Sequence, residues 1–139
     1  MDADELVRLA EEVARTAHAG QFRRDGVRPY VVHPEAVASR VGDDPQALAV
    51  AWLHDVLEDT AVTEDDLRAD GFPAAVVDAV AALTKREGVS YDAYLRGVVA
   101  LPLARAVKVA DMLSNLADDP TDRQIVKYAR GLLVLVGGD

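Results

Sequence analysis

Apolar residues recur along almost the whole chain at the spacing of three to four residues that one face of an α-helix requires. The alternation of apolar and polar residues that half-buried strands show is scarce. Glycine and proline residues interrupt the helical pattern at intervals, and they predict where successive helices begin and end. The sequence therefore predicts an all-α protein, a single compact bundle of about seven or eight helices.

Capping and turn residues predict the boundaries of individual helices. Asp44 and Pro45 supply a cap and a first-turn proline for a helix that continues to Leu57. The segment 21–32 breaks the helical pattern and is predicted to be a loop, after which Pro34 suits the first turn of a helix. Further helices are predicted to begin at residues 63, 73, 90, 103 and 121, and the last ends at the glycines 137 and 138.

The composition excludes several classes of protein. The chain of 139 residues contains no cysteine, which excludes disulfide scaffolds, thiolate zinc sites, iron–sulfur clusters and cysteine nucleophiles. Half of the residues are hydrophobic, yet no apolar run approaches the ~18 residues of a membrane span. The acidic start of the sequence is unlike a signal or transit peptide. We expect one domain over residues 1–139, in a soluble, cytoplasmic protein that does not bind a membrane.

The charge balance bears on the partners of the protein. Fifteen lysine and arginine residues against twenty-four aspartate and glutamate residues give a net charge of −9. Such a surface repels phosphates, so binding to nucleic acid is not expected. A small anionic ligand remains compatible with this charge, because a local group of cations or a bound metal ion can reverse the electric field at one site.

Polar residues interrupt the apolar helix that is predicted to end near residue 57, and they are the first candidates for chemistry. His54, Asp55, Glu58 and Asp59 adjoin apolar residues that should be buried. Positions four residues apart share a helix face, which predicts that His54 lies under Glu58 and Asp55 under Asp59. Three carboxylates so close together repel one another, and a divalent cation would relieve that repulsion.

Two further polar residues complete a candidate metal site. Asp111 stands in the apolar helix predicted over 103–116, and His33 comes just before a proline. With His54 and Asp55 they supply two imidazoles and two carboxylates. This mixed set of nitrogen and oxygen ligands suits Mn²⁺, Fe²⁺, Zn²⁺ or Co²⁺.

Each of these residues also has an ordinary structural explanation. A histidine before proline is more often a capping or core residue, and a buried aspartate often pairs with a nearby cation, here Lys108 or Arg105. An acidic helix end is usually solvated, and arginines such as Arg28 usually belong to a solvated loop. The joint occurrence of these features in a chain with only three histidines favours the metal site.

The candidate ligands stand within longer motifs that occur in a characteristic order. The motifs are AHAGQFRRDG (17–26), PYVVHP (29–34), LHDVLEDT (53–60), LTK (83–85) and KVAD (108–111) with Asn115. In this order they resemble the HD-domain metal-dependent phosphohydrolases, specifically the hydrolase half of RelA/SpoT-type enzymes and the small alarmone hydrolases. The resemblance covers nearly the whole chain, and the double signature, His-Asp followed by Glu-Asp, is its most specific part.

The resemblance implies an HD-domain helical bundle and roles for named residues. It implies that Glu58 and Asp59 are the catalytic residues, which position and activate the attacking water. The implied ligands of one divalent metal ion, usually Mn²⁺, are His33, His54, Asp55 and Asp111. The residues expected to contact the substrate are Arg23, Arg24, Lys108, Asn115 and Tyr128.

The activity that the resemblance implies is removal of the 3′-pyrophosphate from guanosine tetra- or pentaphosphate, a small anionic nucleotide. The enzymatic alternative is a phosphatase for another nucleotide, such as a nucleoside monophosphate or NADPH. The non-enzymatic alternative is a regulatory domain that binds a nucleotide without turnover. The presence of Glu58 and Asp59, the expected catalytic pair, argues against this alternative. A synthetase activity is not expected without a second domain, and a homodimer is compatible with the sequence.

Overall fold

The computed structural model describes residues 1–137, and the regular secondary structure of these residues is helical. The prediction of an all-α bundle is confirmed. No helix in this range is long and apolar enough to cross a membrane. The helices of the described residues are α1 (Ala3–Ala17), α2 (Val32–Ala38), α3 (Pro45–Leu53), α4 (Val56–Asp59), α5 (Glu64–Ala69), α6 (Ala74–Ala82), α7 (Tyr91–Val99), α8 (Pro102–Leu116) and α9 (Asp122–Gly137).

Side chains that precede the helices satisfy the backbone N–H groups of the first turns. The hydroxyl oxygen of Thr63 accepts a hydrogen bond from the backbone N–H of Asp66 at 3.1 Å, and the Asp66 carboxylate accepts one from the N–H of Thr63 at 3.0 Å. Ser90 caps α7 by accepting from the N–H of Ala93 at 3.1 Å. The N–H groups of a first turn have no acceptor within the helix, so these residues fix where α5 and α7 begin.

The helices α3 and α8 lie at the centre of the bundle. α3 packs against α1, α2, α6 and α8, and α8 also packs against α2, α6, α7 and α9. Because α3 is apolar on all sides, it can be surrounded by other helices. The two central helices also bring the polar residues at 54 and 111 into the interior, which places the candidate site. The buried residues of α3 are Ala47, Ala49, Val50, Ala51, Trp52 and Leu53.

The predicted length of the third helix is wrong. The helix predicted over 45–57 ends with α3, and His54 and Asp55 lie in a break before the single turn of α4. The side chain of His54 explains the break, because its Nδ1 lies 2.7 Å from the carbonyl oxygen of Ala51. In a continuous helix, that carbonyl oxygen would accept a hydrogen bond from the backbone N–H of residue 55, and here the imidazole takes its place.

Helix α2 begins two residues earlier than predicted. His33 consequently lies inside the first turn of α2 and not in the loop before it. Pro34 occupies the third position of the helix, where no intrahelical hydrogen bond requires a backbone N–H. The early start turns the side chain of His33 toward α8.

Candidate functional site

Three buried side chains from three helices meet at one point in the bundle. His33 of α2, His54 at the end of α3 and Asp111 of α8 each offer one ligand atom, and these atoms lie within 4.8 Å of one another. Nε2 of His33 is 2.7 Å from Oδ1 of Asp111, and Nε2 of His54 is 3.5 Å from the same oxygen. The residues are 5%, 3% and 6% exposed, respectively. This group could hold a metal ion.

Asp55 connects this buried group to the surface. Its Oδ2 lies 3.0 Å from Nε2 of His54 and 3.9 Å from Nε2 of His33. An oxygen of Asp55 also lies within 4.8 Å of carboxylate oxygens of Glu58 and Asp59. The structure therefore brings the four predicted ligands together and places the two predicted catalytic carboxylates directly beside them.

The tautomer of His54 fits a metal ligand. A carbonyl oxygen can only accept, so the contact with Ala51 assigns the proton of the neutral imidazole to Nδ1. Nε2 then carries a lone pair that faces the centre of the group. Nε2 is buried and makes no hydrogen bond within residues 1–137, since its approach to Asp55 lacks hydrogen-bond geometry. A cation among these atoms would satisfy that lone pair, and the residues present therefore fit a divalent metal ion.

The electrostatics of the group also favour a cation. Burial disfavours the imidazolium form of His54, but the carboxylates of Asp55 and Asp111 outweigh burial and hold the pKa of the imidazole well above its usual value. Without a metal ion, a proton therefore occupies Nε2, and a bound cation would take the place of that proton. Burial likewise opposes ionisation of Asp55, yet the neighbouring His54 lowers the pKa of that carboxyl to about 2. Two ionised carboxylates thus point at one small volume, where positive charge is stabilised.

Asp111 is held in its ionised form from two sides. Nζ of Lys108 donates to Oδ2 of Asp111 at 3.0 Å, and Nδ2 of Asn115 donates to Oδ1 at 3.2 Å. Although burial opposes ionisation of Asp111, the Lys108 ammonium keeps the pKa of this carboxyl well below its usual range. Lys108 also lies over the ring of Tyr94, 5.3 Å from its centroid. These contacts fix the orientation of one predicted ligand.

A cleft of about 280 Å³ opens above the buried group. His54 lies beneath the cleft, while His33, Asp55 and Asp111 form part of its lining. The structure also places every predicted catalytic and substrate-contacting residue in the same lining. Those residues are Glu58, Asp59, Arg23, Arg24, Lys108, Asn115 and Tyr128.

Glu58 and Asp59 are partly exposed carboxylates at the edge of the cleft. Partial burial raises the pKa of both side chains above the ordinary carboxyl value. Oε1 of Glu58 accepts a hydrogen bond from the backbone N–H of Lys85 at 3.0 Å, which fixes its position. The backbone carbonyl of Asp59 accepts from the side chain of Gln21 at 2.9 Å. Carboxylates with a raised pKa are suited to accept a proton near neutral pH.

Arg23 and Arg24, on the loop after α1, also line the cleft. Arg23 donates to Oδ2 of Asp118 at 2.9 Å and its side chain is only 8% exposed. Arg24 donates to the backbone carbonyl of Asp118 at 2.7 Å. Arg28, for which a solvated loop was the favoured interpretation, is half-exposed and pairs with Asp25 and Asp118. Asp118 therefore anchors the loop that carries Arg23, Arg24 and Arg28, which we call the arginine loop.

The structure adds residues to the site for which the sequence predicts no role. The Tyr30 hydroxyl donates to Oδ2 of Asp55 at 2.5 Å and lies 3.4 Å from Oδ2 of Asp59. The buried ring of His18 packs on Tyr30 with ring centroids 4.7 Å apart, and Gln124 lines the cleft. Both aromatic residues lie within the motifs quoted above, but no feature of the sequence indicates their partners.

Comparisons with known proteins identify relatives of this chain. A Haemophilus influenzae protein named guanosine-3′,5′-bis(diphosphate) 3′-pyrophosphohydrolase is 37% identical over 113 residues, which cover 76% of this chain and 16% of the relative. A Vibrio cholerae protein of the same name is 36% identical, covering 82% of this chain and 17% of the relative. A Streptomyces coelicolor protein named GTP pyrophosphokinase is also 36% identical, covering 79% of this chain and 14% of the relative. The chain thus spans about a sixth of the length of the first two relatives.

A solved structure resembles the fold over most of both chains. It is described as a metazoan ortholog of SpoT that hydrolyses ppGpp and plays a role in starvation responses. The TM-score is 0.78 at 25% identity, and the match covers 95% of this chain and 86% of the other. No family model matches the sequence. On the similarity of sequence, fold and motif order, the chain belongs to the HD-domain family of RelA/SpoT-type hydrolases.

Proposed function

We propose that residues 1–139 form one catalytic domain that removes the 3′-pyrophosphate from guanosine tetra- or pentaphosphate in a Mn²⁺-dependent reaction. The observation that carries this proposal is the convergence of two histidines and two aspartates at a cleft that is lined by both carboxylates and arginines. The names of the relatives support the choice of substrate. A nucleotide of this kind implies a cytoplasmic reaction.

His33, His54, Asp55 and Asp111 are the residues that would hold the metal ion. Mixed imidazole and carboxylate ligands suit Mn²⁺, and fewer than six protein ligands leave room for water and substrate. A bound divalent cation supplies two effects, neutralisation of a phosphoryl oxygen and a lowered pKa of bound water. Lys108 and Asn115 act on the ligand set by holding the Asp111 carboxylate in place.

Glu58 and Asp59 accept the proton of the attacking water. The water oxygen forms a bond to the phosphorus next to the 3′ oxygen, the bond from that phosphorus to the 3′ oxygen breaks, and pyrophosphate leaves. The 3′ oxygen takes up a proton as it becomes a hydroxyl. Because partial burial raises the pKa of both carboxyls, each retains basicity closer to neutral pH than an exposed carboxylate would.

The arginine loop provides the positive charge that a polyphosphate requires. The net charge of −9 repels such a substrate from most of the surface, so approach depends on local cations. Arg23 and Arg24 line the same cleft as the acidic residues. A guanidinium group can donate two parallel hydrogen bonds to the oxygens of one phosphate. Asn115 and Tyr128 line the same cleft and are proposed to contact the nucleoside.

The test is an assay of products. Purified protein is incubated with Mn²⁺ and guanosine tetraphosphate, and the products are separated by anion-exchange chromatography. The proposal predicts equal amounts of pyrophosphate and guanosine diphosphate, and loss of both when Asp55 is changed to alanine. Release of orthophosphate from another nucleotide in a parallel panel, with guanosine tetraphosphate left intact, would contradict the substrate. Absence of turnover with every nucleotide would contradict the activity.

A further inference from the structure

A second cleft lies between α7 and α9, and we call it the α7–α9 groove. Its volume is about 360 Å³, and it shares no lining residue with the cleft above the candidate metal site. Leu95 and Gly131, both buried, lie at its base. The side chains of Val126 and Val134 add further apolar surface. The groove is therefore a separate concave surface with an apolar interior.

Close packing of α9 fixes the shape of the groove. Gly131 stands inside α9, where glycine costs about 1 kcal/mol relative to alanine. A Cβ atom at this position would lie 2.5 Å from Cε of Met112 and 3.5 Å from the hydroxyl of Tyr91. The glycine thus lets α9 approach α8 closely. The base of the groove is consequently formed by packed helices and requires no rearrangement to receive a ligand.

Three cations surround the apolar interior of the groove. Arg123, Lys127 and Arg130 are exposed, they follow one another at helical spacing on α9, and all three line the groove. None of them forms an ion pair within residues 1–137, although the chain carries twenty-four acidic residues. Asp92 is the one carboxylate among the described residues of the lining. The groove therefore has a local positive charge on a protein of opposite net charge.

Lys127 contacts aromatic rings and forms no ion pair with a carboxylate within the described part of the chain. Its Nζ lies 5.1 Å from the ring centroid of Tyr91 and 5.8 Å from that of Tyr128. Contacts of this type orient an ammonium group and leave its charge available to an anion. Apolar walls beside oriented cations are the features with which ligand sites bind amphipathic anions.

We propose that the α7–α9 groove binds a small organic anion whose flat or aliphatic apolar part fills the groove and whose phosphate, sulfonate or carboxylate contacts Lys127 and Arg130. A bare inorganic anion would leave the apolar walls exposed to water, and an uncharged apolar molecule would leave the cations without a partner. Both parts of the ligand are therefore required. The proposal requires no metal ion and is independent of the proposed hydrolase activity.

The experiment uses naphthalene-2-sulfonate as the probe and amide NMR of the metal-free protein as the measurement. We expect saturable shifts centred on α7 and α9. Two control compounds are 2-naphthol, which lacks the charge, and inorganic phosphate, which lacks the apolar part. Each should bind at least about fivefold more weakly than naphthalene-2-sulfonate, because one or two partly exposed interactions contribute a free energy of that size. Equal binding of 2-naphthol, or shifts centred elsewhere, would overturn the proposal.

Variants of exposed residues separate groove binding from non-specific binding. The double variant Lys127→Ala with Arg130→Ala should bind naphthalene-2-sulfonate at least about fivefold more weakly than the wild type. Val126→Trp should block the groove by filling it. Arg96→Ala removes an exposed cation of α7 that does not line the groove, and it should leave binding unchanged. Undiminished binding in both the double variant and Val126→Trp would overturn the proposal.

Competition identifies the source of the natural ligand. Displacement of the probe from α7 and α9 by guanosine monophosphate would assign a nucleotide, and displacement by octanoate would assign a fatty carboxylate. Both outcomes support a site for organic anions. If neither compound displaces the probe at millimolar concentration, the proposal is wrong.

Discussion

The hydroxyl group of Tyr30 donates a hydrogen bond to Oδ2 of Asp55 at 2.5 Å, although the two residues are 25 positions apart. Burial, with the nearby Asp55 carboxylate, raises the pKa of the phenol above its usual value, so Tyr30 remains protonated and continues to donate. The accepting oxygen is also the one that faces His54 and His33. Tyr30 thus orients Asp55, the proposed metal ligand that joins the buried group to the cleft.

Changing Tyr30 to phenylalanine should weaken the metal site while preserving the fold. Loss of a residue that orients a metal ligand typically costs about 10–100-fold in metal affinity or activity. We expect a loss of that size in Mn²⁺ affinity, measured by calorimetry, or in kcat. Tyr91→Phe is the matched control, because the Tyr91 hydroxyl makes no hydrogen bond within residues 1–137. Equal Mn²⁺ affinity and turnover in Tyr30→Phe and the control would refute this role.

Changing Asp111 to alanine should destabilise the metal-free protein. The variant leaves the largely buried ammonium of Lys108 and the imidazole of His33 without the Asp111 carboxylate. Breaking a buried ion pair from one side typically costs about 3–5 kcal/mol. Urea unfolding in the presence of a chelator measures this cost.

The double variant Asp111→Leu with Lys108→Met removes both charges of the pair. It should recover part of the lost free energy of unfolding, because no unpaired lysine remains buried. A loss below about 1 kcal/mol in the single variant would show that the pair is not effectively buried.

Changing Glu58 to glutamine should separate turnover from metal binding. The amide cannot accept the proton, and loss of general-base help lowers kcat by about 10²-fold or more. Mn²⁺ affinity should stay unchanged. Glu87→Gln, an exposed substitution of the same kind, is the control. Full activity of the Glu58 variant would rule out this role.

The pH dependence should report the carboxylates at the edge of the cleft. Burial raises the pKa of Glu58, so the protonated and inactive form persists to higher pH than for an exposed glutamate. The ratio kcat/KM should therefore fall as the pH decreases through a value above the ordinary carboxyl pKa. This fall of kcat/KM at acidic pH should be altered in Glu58→Gln and should be the same as in the wild type in Glu87→Gln.

Changing Asp118 to asparagine should release the arginine loop. Arg23, which is nearly buried, then lacks its carboxylate, and leaving such a group unpaired costs about 1–3 kcal/mol. We expect a lower melting temperature and a higher KM for the nucleotide with little change in Mn²⁺ affinity. Asp25→Asn removes a carboxylate whose one ion pair within residues 1–137 is with the exposed Arg28, and it should have little effect. Indistinguishable KM values in the two variants would contradict the anchoring role.

The sequence predicts the helices and the ligand types because both depend on local pattern. Helical periodicity predicts α8 closely, and polar residues inside apolar helices indicate Asp111 and His54. The break after α3 was not predictable in this way, because the apolar pattern continues through it. The contact between the His54 side chain and the Ala51 carbonyl, which occurs at this break, is not encoded in that pattern.

Contacts between distant segments account for the parts of the site that the sequence does not predict. Asp118 reaches Arg23 across 95 positions, and no feature of the sequence indicates that these two residues pair. Tyr30 likewise lies within a motif, but the sequence assigns it no role. Its role follows from the hydrogen bond between its hydroxyl group and Asp55. Such roles depend on how α8 and the loop after α1 pack together, which periodicity does not encode.

Binding of one cation by four side chains that are distant in sequence can be measured by titrating chelator-treated protein with Mn²⁺. Electron paramagnetic resonance measures the Mn²⁺ that remains free. We expect one bound ion per chain in the wild type and none at the same concentrations in Asp55→Ala or His54→Ala, while Asp65→Ala, at a fully exposed carboxylate, binds normally. Equal binding in wild type, Asp55→Ala and His54→Ala would refute the proposed metal site.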